Sequence, residues 1–326
     1  AALCRAERPS AGFRAGKRRT RHTRLDPLRV VVTFMQTLTS YCLAQFGEKL
    51  YKLGLSAPVS CPNRDGTLGT RGCIFCSGAG SGDFAESAAL PVAEQIDRAK
   101  LRVAEKFRGG RFIAYFQSFT GTYAPVSVLE PIFTEAARRD DIAAVSIATR
   151  PDCLGADILA MLARLQKIKP VWVDLGLQTV SEEAARYIRR GYELPVYDAA
   201  ADALAALGIH AVTHVILGLP GETRADMLAT VRHAAAKTPG IKLQLLHVLE
   251  GTDLAREWRA GRVPVMSMEE YAGLVCECIA ALPEDTVVHR LTGDGPKRLL
   301  LAPEWSGDKK RVINAIHAAL RERGLE

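Results

Sequence analysis

Three cysteines carry the clearest chemistry in the chain. They stand in the stretches Cys61-Pro62-Asn63-Arg64-Asp65-Gly66-Thr67 and Arg71-Gly72-Cys73-Ile74-Phe75-Cys76. A [4Fe–4S] cluster normally takes four thiolates, so a trio leaves one iron open to a small chelating molecule. Structural zinc is the rival reading, because a Cys-x-x-Cys spacing also begins zinc knuckles. Zinc wants four ligands, yet no second Cys-x-x-Cys or His pair lies nearby in the chain. Cys153 supplies a fourth thiol only if the fold brings it close.

Such a trio needs a scaffold, and the apolar pattern indicates one. Short β-like runs alternate with helical stretches, the signature of a parallel α/β fold. Strands are expected at Tyr51–Leu55, Phe112–Gln117, Ala143–Thr149, Val171–Leu177, Val212–Leu217 and Ile241–Val248. Helices are expected at Val92–Phe107, Val126–Arg138, Ala156–Gln166, Glu182–Arg190 with Val196–Leu207, and Arg224–Lys237. Six strand–helix units predict a partial, six-stranded parallel (β/α)6 barrel, TIM-like but open. A C-terminal α/β cap is expected to follow, with helices at Met268–Ala281 and Lys309–Arg323 flanking a strand at Val287–Leu291. The cysteines then fall in the long loop after the first strand, at the C-terminal mouth where such barrels place their chemistry. Glycines 66, 69, 72, 78, 80 and 82 would let that loop wrap tightly around a bulky group.

The 326 residues are enough for a large core, and 48% hydrophobic with 24% charged content is ordinary for a globular protein. Eight cysteines are too few for a disulfide scaffold at this length and point to a reducing, cytoplasmic setting. No apolar run reaches the ~18 residues that a membrane span requires. The net charge of +7 is local: residues 1–34 hold nine Lys/Arg against Glu7 and Asp26, and the rest carry 34 charges of each sign. The body is therefore neutral, and RNA contact would need a local patch. Two domains are expected: a basic, disordered extension over 1–34, and a core with its cap over 35–326, the barrel itself spanning about 50–250. Met35 reads as the true start. A transit peptide and a basic RNA-binding arm are the other readings of the head.

With these segments together, the chain resembles the radical S-adenosylmethionine (SAM) superfamily, in particular its bacterial Fe–S oxidoreductases related to the Elongator catalytic-subunit radical domain. Besides the cysteine stretches, Tyr115-Phe116-Gln117-Ser118-Phe119-Thr120, Thr149-Arg150-Pro151-Asp152-Cys153, Leu175-Gly176-Leu177-Gln178-Thr179, Gly218-Leu219-Pro220-Gly221-Glu222 and His289-Arg290-Leu291-Thr292-Gly293-Asp294-Gly295-Pro296 carry the resemblance. It implies that Cys61, Cys73 and Cys76 hold a [4Fe–4S] cluster whose open iron is chelated by S-adenosyl-L-methionine. Reductive cleavage would then yield a 5′-deoxyadenosyl radical that abstracts hydrogen from substrate. It further implies Phe75 against the adenine, Gln117 and Ser118 near the methionine amino group, Gln178 at the ribose, and Arg190 on the methionine carboxylate. Arg suits that last task because its planar fork meets both oxygens. His214 sits where some relatives carry a ribose-binding Asp, and a core histidine is the plain alternative.

Three positions depart from the family pattern. Ala148 stands where several relatives have Glu, Tyr192 follows Arg190-Gly191 where Arg-Gly-His is common, and Gln244 replaces a frequent His. They bear on the substrate side more than on the cluster. Cys4, Cys42, Cys276 and Cys278 read as ordinary thiols. Arg150, Asp152, His247, His289 and Arg290 fall at strand ends, where they line either a cavity or a salt-bridged rim. The resemblance implies tRNA as substrate, through conversion of the wobble-uridine carboxymethylaminomethyl group to aminomethyl, with a flavodoxin or ferredoxin as reductant. A small metabolite or a protein as substrate is the alternative, and so is a non-catalytic Fe–S or zinc protein that binds a partner.

Overall fold

The structure is a computed structural model, and it describes residues 35–107 and 109–325. The readings of residues 1–34, Cys4 included, lie outside the described residues. The described residues belong to one compact unit.

Its strands are β1 (Gln36–Thr37), β2 (Tyr51–Leu55), β3 (Phe112–Phe116), β4 (Ile142–Thr149), β5 (Val171–Gln178), β6 (His210–Leu217), β7 (Gly240–Leu245), β8 (Val248–Leu249), β9 (Val287–Arg290) and β10 (Leu300–Ala302). Eight of them form one curled sheet in the order β1-β9-β7-β6-β5-β4-β3-β2, with every neighbouring pair parallel. The six expected strands are present as β2 to β7, so the barrel has two strands more than expected. The tail strand β9 joins the sheet beside β7 instead of standing in a separate cap, and β1 adds to its far side. β1 and β2 end the sheet and do not pair, so the barrel is open. β8 and β10 make a small antiparallel ribbon.

The strands read as nearly continuous apolar runs because helices cover their outer face. Helix bounds match the expectation at Val126–Arg138, Ala156–Gln166 and Arg224–Lys237. The last begins with a capping box in which Thr223 and Asp226 satisfy each other's backbone N–H groups. On β5 the period of two sorts side chains cleanly. Val171, Val173, Leu175 and Leu177 pack outward into the main core, whereas Asp174, Gly176 and Gln178 face the interior cavity. Trp172 also points inward but sits at the floor, with Cys42, Leu50 and Ile113. There the helix Leu38–Phe46 closes the barrel bottom, stacking Tyr41 on His210 with ring centroids 4.9 Å apart. Among the described residues, no helix is long and apolar enough to cross a membrane.

The outer core depends on close packing of large side chains. Phe133, fully buried, meets Phe116 edge-on at 4.8 Å between ring centroids. Phe133→Ala would leave a cavity between helix and sheet and is expected to lower unfolding stability by about 3–5 kcal/mol. A urea melt should show the midpoint falling at unchanged slope.

Candidate active site

The segment between β2 and the helix Val92–Val103 is long and held by its own backbone. Arg64 and Asp65 N–H groups donate to the Cys61 carbonyl at 2.8 and 3.2 Å, and Gly72 N–H donates to the Asn63 carbonyl at 2.7 Å. A tight turn brings Cys76 N–H to the Cys73 carbonyl at 3.0 Å. The Arg64 Nη2 donates to the carbonyls of Cys76 (3.2 Å) and Ser77 (2.6 Å), lacing the loop's two halves together. Gly80 is required at its position: its φ is +56°, and a Cβ there would lie 2.3 Å from the Phe119 ring.

This arrangement places all three thiols, half-buried, on the wall of one cavity of about 1160 Å³. Asn63 Nδ2 donates to Cys73 Sγ at 3.3 Å and to the Arg189 carbonyl at 2.7 Å. Burial pushes the Cys73 thiol up to about 11, and the neighbouring Cys76 and Cys61 push the same way. Burial also raises Cys76, against the pull of Arg64. Among the described residues, no three His, Cys, Asp or Glu side chains are grouped to hold a single metal ion. The donor set suits an iron–sulfur cluster: three thiols on one wall, an amide N–H on one sulfur, and cationic Arg64 and Arg150 whose charge favours thiolates. Cys153 is not a wall residue of that cavity. Its thiol lies 3.9 Å from Asp152 Oδ1, and burial lifts it to about 12.

The other expected site residues separate. Phe75, Gln117, Gln178, Arg190 and His214 line the cavity with the thiols. Gln117 Nε2 donates to the Ser81 carbonyl at 3.2 Å. Gln178 ends β5 at a φ of +64° and accepts from the Tyr192 hydroxyl at 3.3 Å. Ser118 turns away: it is buried, with its Oγ 2.7 Å from Ser56 Oγ, beneath Gly82. Packing, not contact with the cavity, occupies it. Burial takes His214 down to about 4, so its imidazole is neutral, with Nδ1 3.2 Å from Gln244 Nε2.

Arg190 is the most heavily engaged of these residues. Its guanidinium is 1% exposed. Nε donates to the Tyr192 carbonyl at 2.8 Å, Nη1 to the carbonyls of Thr179 (2.7 Å) and Leu177 (3.4 Å), and Nη2 to Glu182 Oε1 at 2.9 Å. Four of five donors are thereby committed to the protein. This is not a solvated helix-end arginine: it fastens the turn that follows β5 while standing on the cavity wall.

Sequence reading missed the barrel's interior charges. Lys52 on β2, Asp174 on β5 and Lys242 on β7 meet on the inner face. Asp174 Oδ2 lies 2.6 Å from Lys242 Nζ and 3.5 Å from Lys52 Nζ. Burial alone would raise the Asp174 carboxyl, but the two lysines beside it hold it well below the ordinary carboxylate range. The available signal was a lone charge inside each apolar run, at a position the alternation turns inward.

The Arg190 geometry makes a prediction. Arg190→Lys keeps the charge but has three donors on one atom, leaving buried carbonyls unpaired. It is expected to cost about 2–4 kcal/mol of unfolding stability. Chemical denaturation of the apoprotein measures this, and a change under 0.5 kcal/mol would contradict the fastening role.

With the geometry established, known proteins supply the affiliation. The family profile "Radical SAM superfamily" matches residues 66–234, and "Radical_SAM C-terminal domain" matches residues 238–322. The chain is 42% identical over 289 residues to the uncharacterized protein YtqA of Bacillus subtilis, covering 88% of this chain and 90% of that one. It is 34% identical to protein YhcC of Escherichia coli, covering 86% and 91%. Elongator complex protein 3 of Mus musculus is 29% identical over 187 residues, where the match covers 56% of this chain and 33% of that protein. The solved archaeal Elp3 of Methanocaldococcus infernus superposes with a TM-score of 0.61 at 15% identity, covering 85% of this chain and 65% of that one, a likeness of fold. The chain therefore belongs to the radical SAM superfamily, enzymes that use a [4Fe–4S] cluster with S-adenosylmethionine, and is related to Elongator complex protein 3.

Proposed function

We propose that Cys61, Cys73 and Cys76 hold the [4Fe–4S] cluster and that the cavity they face admits the side chain of a tRNA wobble uridine. The convergence of three thiols on one wall of a single large cavity carries this reading. When bound, the cluster and S-adenosylmethionine supply a 5′-deoxyadenosyl radical able to take a hydrogen atom from substrate. The chain's own residues prepare for it. Asn63 and Arg64 fix the sulfurs and bring positive charge to thiols that must lose their protons to bind iron. Phe75 offers a flat face to the adenine, while Gln117 and Gln178 offer amide groups to the amino and ribose ends. His214, neutral, offers hydrogen bonding without charge. Arg190 positions: by fastening the turn through Arg189, it fixes the carbonyl that orients Asn63.

The substrate assignment rests on the similarity to Elongator complex protein 3 and on the motifs it shares with the wobble-uridine branch. The methylene between nitrogen and carboxylate of a carboxymethylaminomethyl group would give a stabilised radical on hydrogen abstraction. Loss of one more electron from it would leave an imine, whose hydrolysis would release the aminomethyl group and glyoxylate. A flavodoxin or ferredoxin is the matching class of electron donor, in a cytoplasmic setting. Among the described residues, the helix Leu38–Phe46 packs across the barrel floor, so the cysteine side is the natural approach for substrate.

Two measurements test this. Replacing Cys61, Cys73 and Cys76 together by Ser should reduce iron after anaerobic reconstitution from about four per chain to near zero with circular dichroism unchanged. Retained iron and retained nucleoside cleavage would overturn the ligand assignment. Nucleosides from tRNA of a deletion strain should accumulate the carboxymethylaminomethyl form at the expense of the aminomethyl form. Unchanged wobble uridines would remove tRNA as the substrate.

A further inference from the structure

Below the thiols, the barrel carries a layer of charge that the cofactor chemistry does not use. Lys52, Asp174 and Arg290 all line the cavity, whereas Lys242 stands behind them. Asp174 Oδ2 is satisfied by Lys242 at 2.6 Å, but its Oδ1 is buried with no hydrogen-bond partner. Lys52 Nζ is likewise buried without a hydrogen-bond partner; it lies 3.5 Å from the Oδ2 that Lys242 already occupies and 4.6 Å from the centroid of the Tyr115 ring. Arg290, at the end of β9, contacts only Gln244 Oε1 at 3.4 Å and has no carboxylate partner among the described residues. The layer thus holds three cations against one anion, and the neighbouring imidazoles of His214 and His210 are neutral. Burial lowers the Lys52 ammonium's pKa and the charge of Arg290 adds to the effect, while Asp174, shared with Lys242, opposes it. Such groups are costly unless something satisfies them.

What would satisfy them is defined by the vacancies: an anion for Lys52 and Arg290, and a hydrogen-bond donor for Asp174 Oδ1. Room exists above, because the layer opens onto the cavity that the thiols line and Ala148 is small where the register sets it level with Asp174. Depth selects among ligands. Asp174 precedes Gln178 by four residues, which places the layer about 13 Å below the end of β5 at a strand's usual rise. A backbone phosphate, flanked by riboses on both sides, cannot descend that far. The end of a slender side chain can.

We infer that this layer is a substrate subsite for a zwitterionic N-alkylglycine group, with its carboxylate on Lys52 and Arg290 and its secondary ammonium on Asp174 Oδ1. The inference deepens the tRNA reading, which it needs only as the source of the group: a carboxymethylaminomethyl substituent is an N-alkylglycine. S-adenosylmethionine also ends in an amino acid and is the competing source to be tested.

The experiment uses the anaerobically reconstituted protein and N-methylglycine as the probe. N-methylglycine should raise the melting temperature in a saturable way, with propionate and inorganic phosphate binding at least tenfold more weakly. Lys52→Met and Arg290→Gln should each weaken the probe at least tenfold, while Lys52→Arg, which keeps the charge, should retain most binding. Saturating S-adenosylmethionine should leave the shift in place. In parallel, the wild type should prefer tRNA whose wobble side chain ends in carboxymethylaminomethyl over the same tRNA ending in aminomethyl, and Arg290→Gln should erase that ratio, which a merely structural role would not move. No saturable shift with N-methylglycine, equal binding of phosphate, or displacement by S-adenosylmethionine would each overturn the inference. A specific N-methylglycine site together with unchanged wobble uridines in the deletion strain would sustain the subsite and sink tRNA as its source.

Discussion

A single buried guanidinium holds the mouth of this barrel in shape. Arg190 bridges the carbonyls of Leu177 and Thr179 at the end of β5, the Tyr192 carbonyl beyond the turn, and Glu182 on the following helix. Burying a charge costs several kcal/mol unless its donors are satisfied, and here nearly all are. The turn so fixed carries Arg189, whose φ of +59° presents its carbonyl to Asn63 Nδ2. Gly191 follows at +82°, and a Cβ there would stand 2.9 Å from Asn63 Oδ1. Asn63 in turn donates to Cys73 Sγ. The end of a strand and the sulfur of a loop more than a hundred residues earlier in the chain are thus linked through three residues, Arg190, Arg189 and Asn63.

Much of this was legible in advance, and what was not has physical causes. β3 through β7 were found because each is mostly buried on both faces, which leaves a largely apolar run, and β2, at the sheet's edge and partly buried, still carries Tyr51, Leu53 and Leu55. Pairing of β9 and β1 was not found, because β1 is two residues long and parallel neighbours are set by tertiary contact, not by any local signal. The ribbon of β8 and β10 and the helix Asp253–Arg259 were hidden for the same reason: all three are short and packed on the rim. The cysteine trio was legible from spacing alone. Arg190 was noticed, but its hold on the turn was not, because sequence shows a fork of donors and cannot show that backbone carbonyls take most of it.

The three departures from the family pattern acquire meaning from their positions. Tyr192 sends its hydroxyl to the Gly176 carbonyl at 2.6 Å and offers its ring to Arg150 and Arg190 at 5.0 and 4.9 Å. It therefore serves the same turn as Arg190. Gln244 joins His214 to Arg290, two residues of the cavity wall. Ala148, level with Asp174 in the register, leaves space where a longer acid would neutralise the cations below. The substitutions together favour a roomy, positively charged interior over a closed, self-neutralised one.

The placement of paired and unpaired charge separates the two ends of the cavity. Near the mouth, exposed cations have acidic neighbours: Arg71 with Asp253 at 3.6 Å, Arg298 with Asp83 at 3.4 Å, and Lys309 with Asp294 at 2.6 Å. Such pairs contribute little and are screened within about 10 Å at ordinary salt. Inside, Lys52 and Arg290 lack full compensation in a low-dielectric space, where one correctly placed opposite charge counts for far more. In a body of balanced overall charge, selection can therefore fall on a group inserted into this interior and need not come from a global surface field. The same low-dielectric interior that makes those charges strong also limits the water around a reacting group, so selection and protection follow from one feature of the fold.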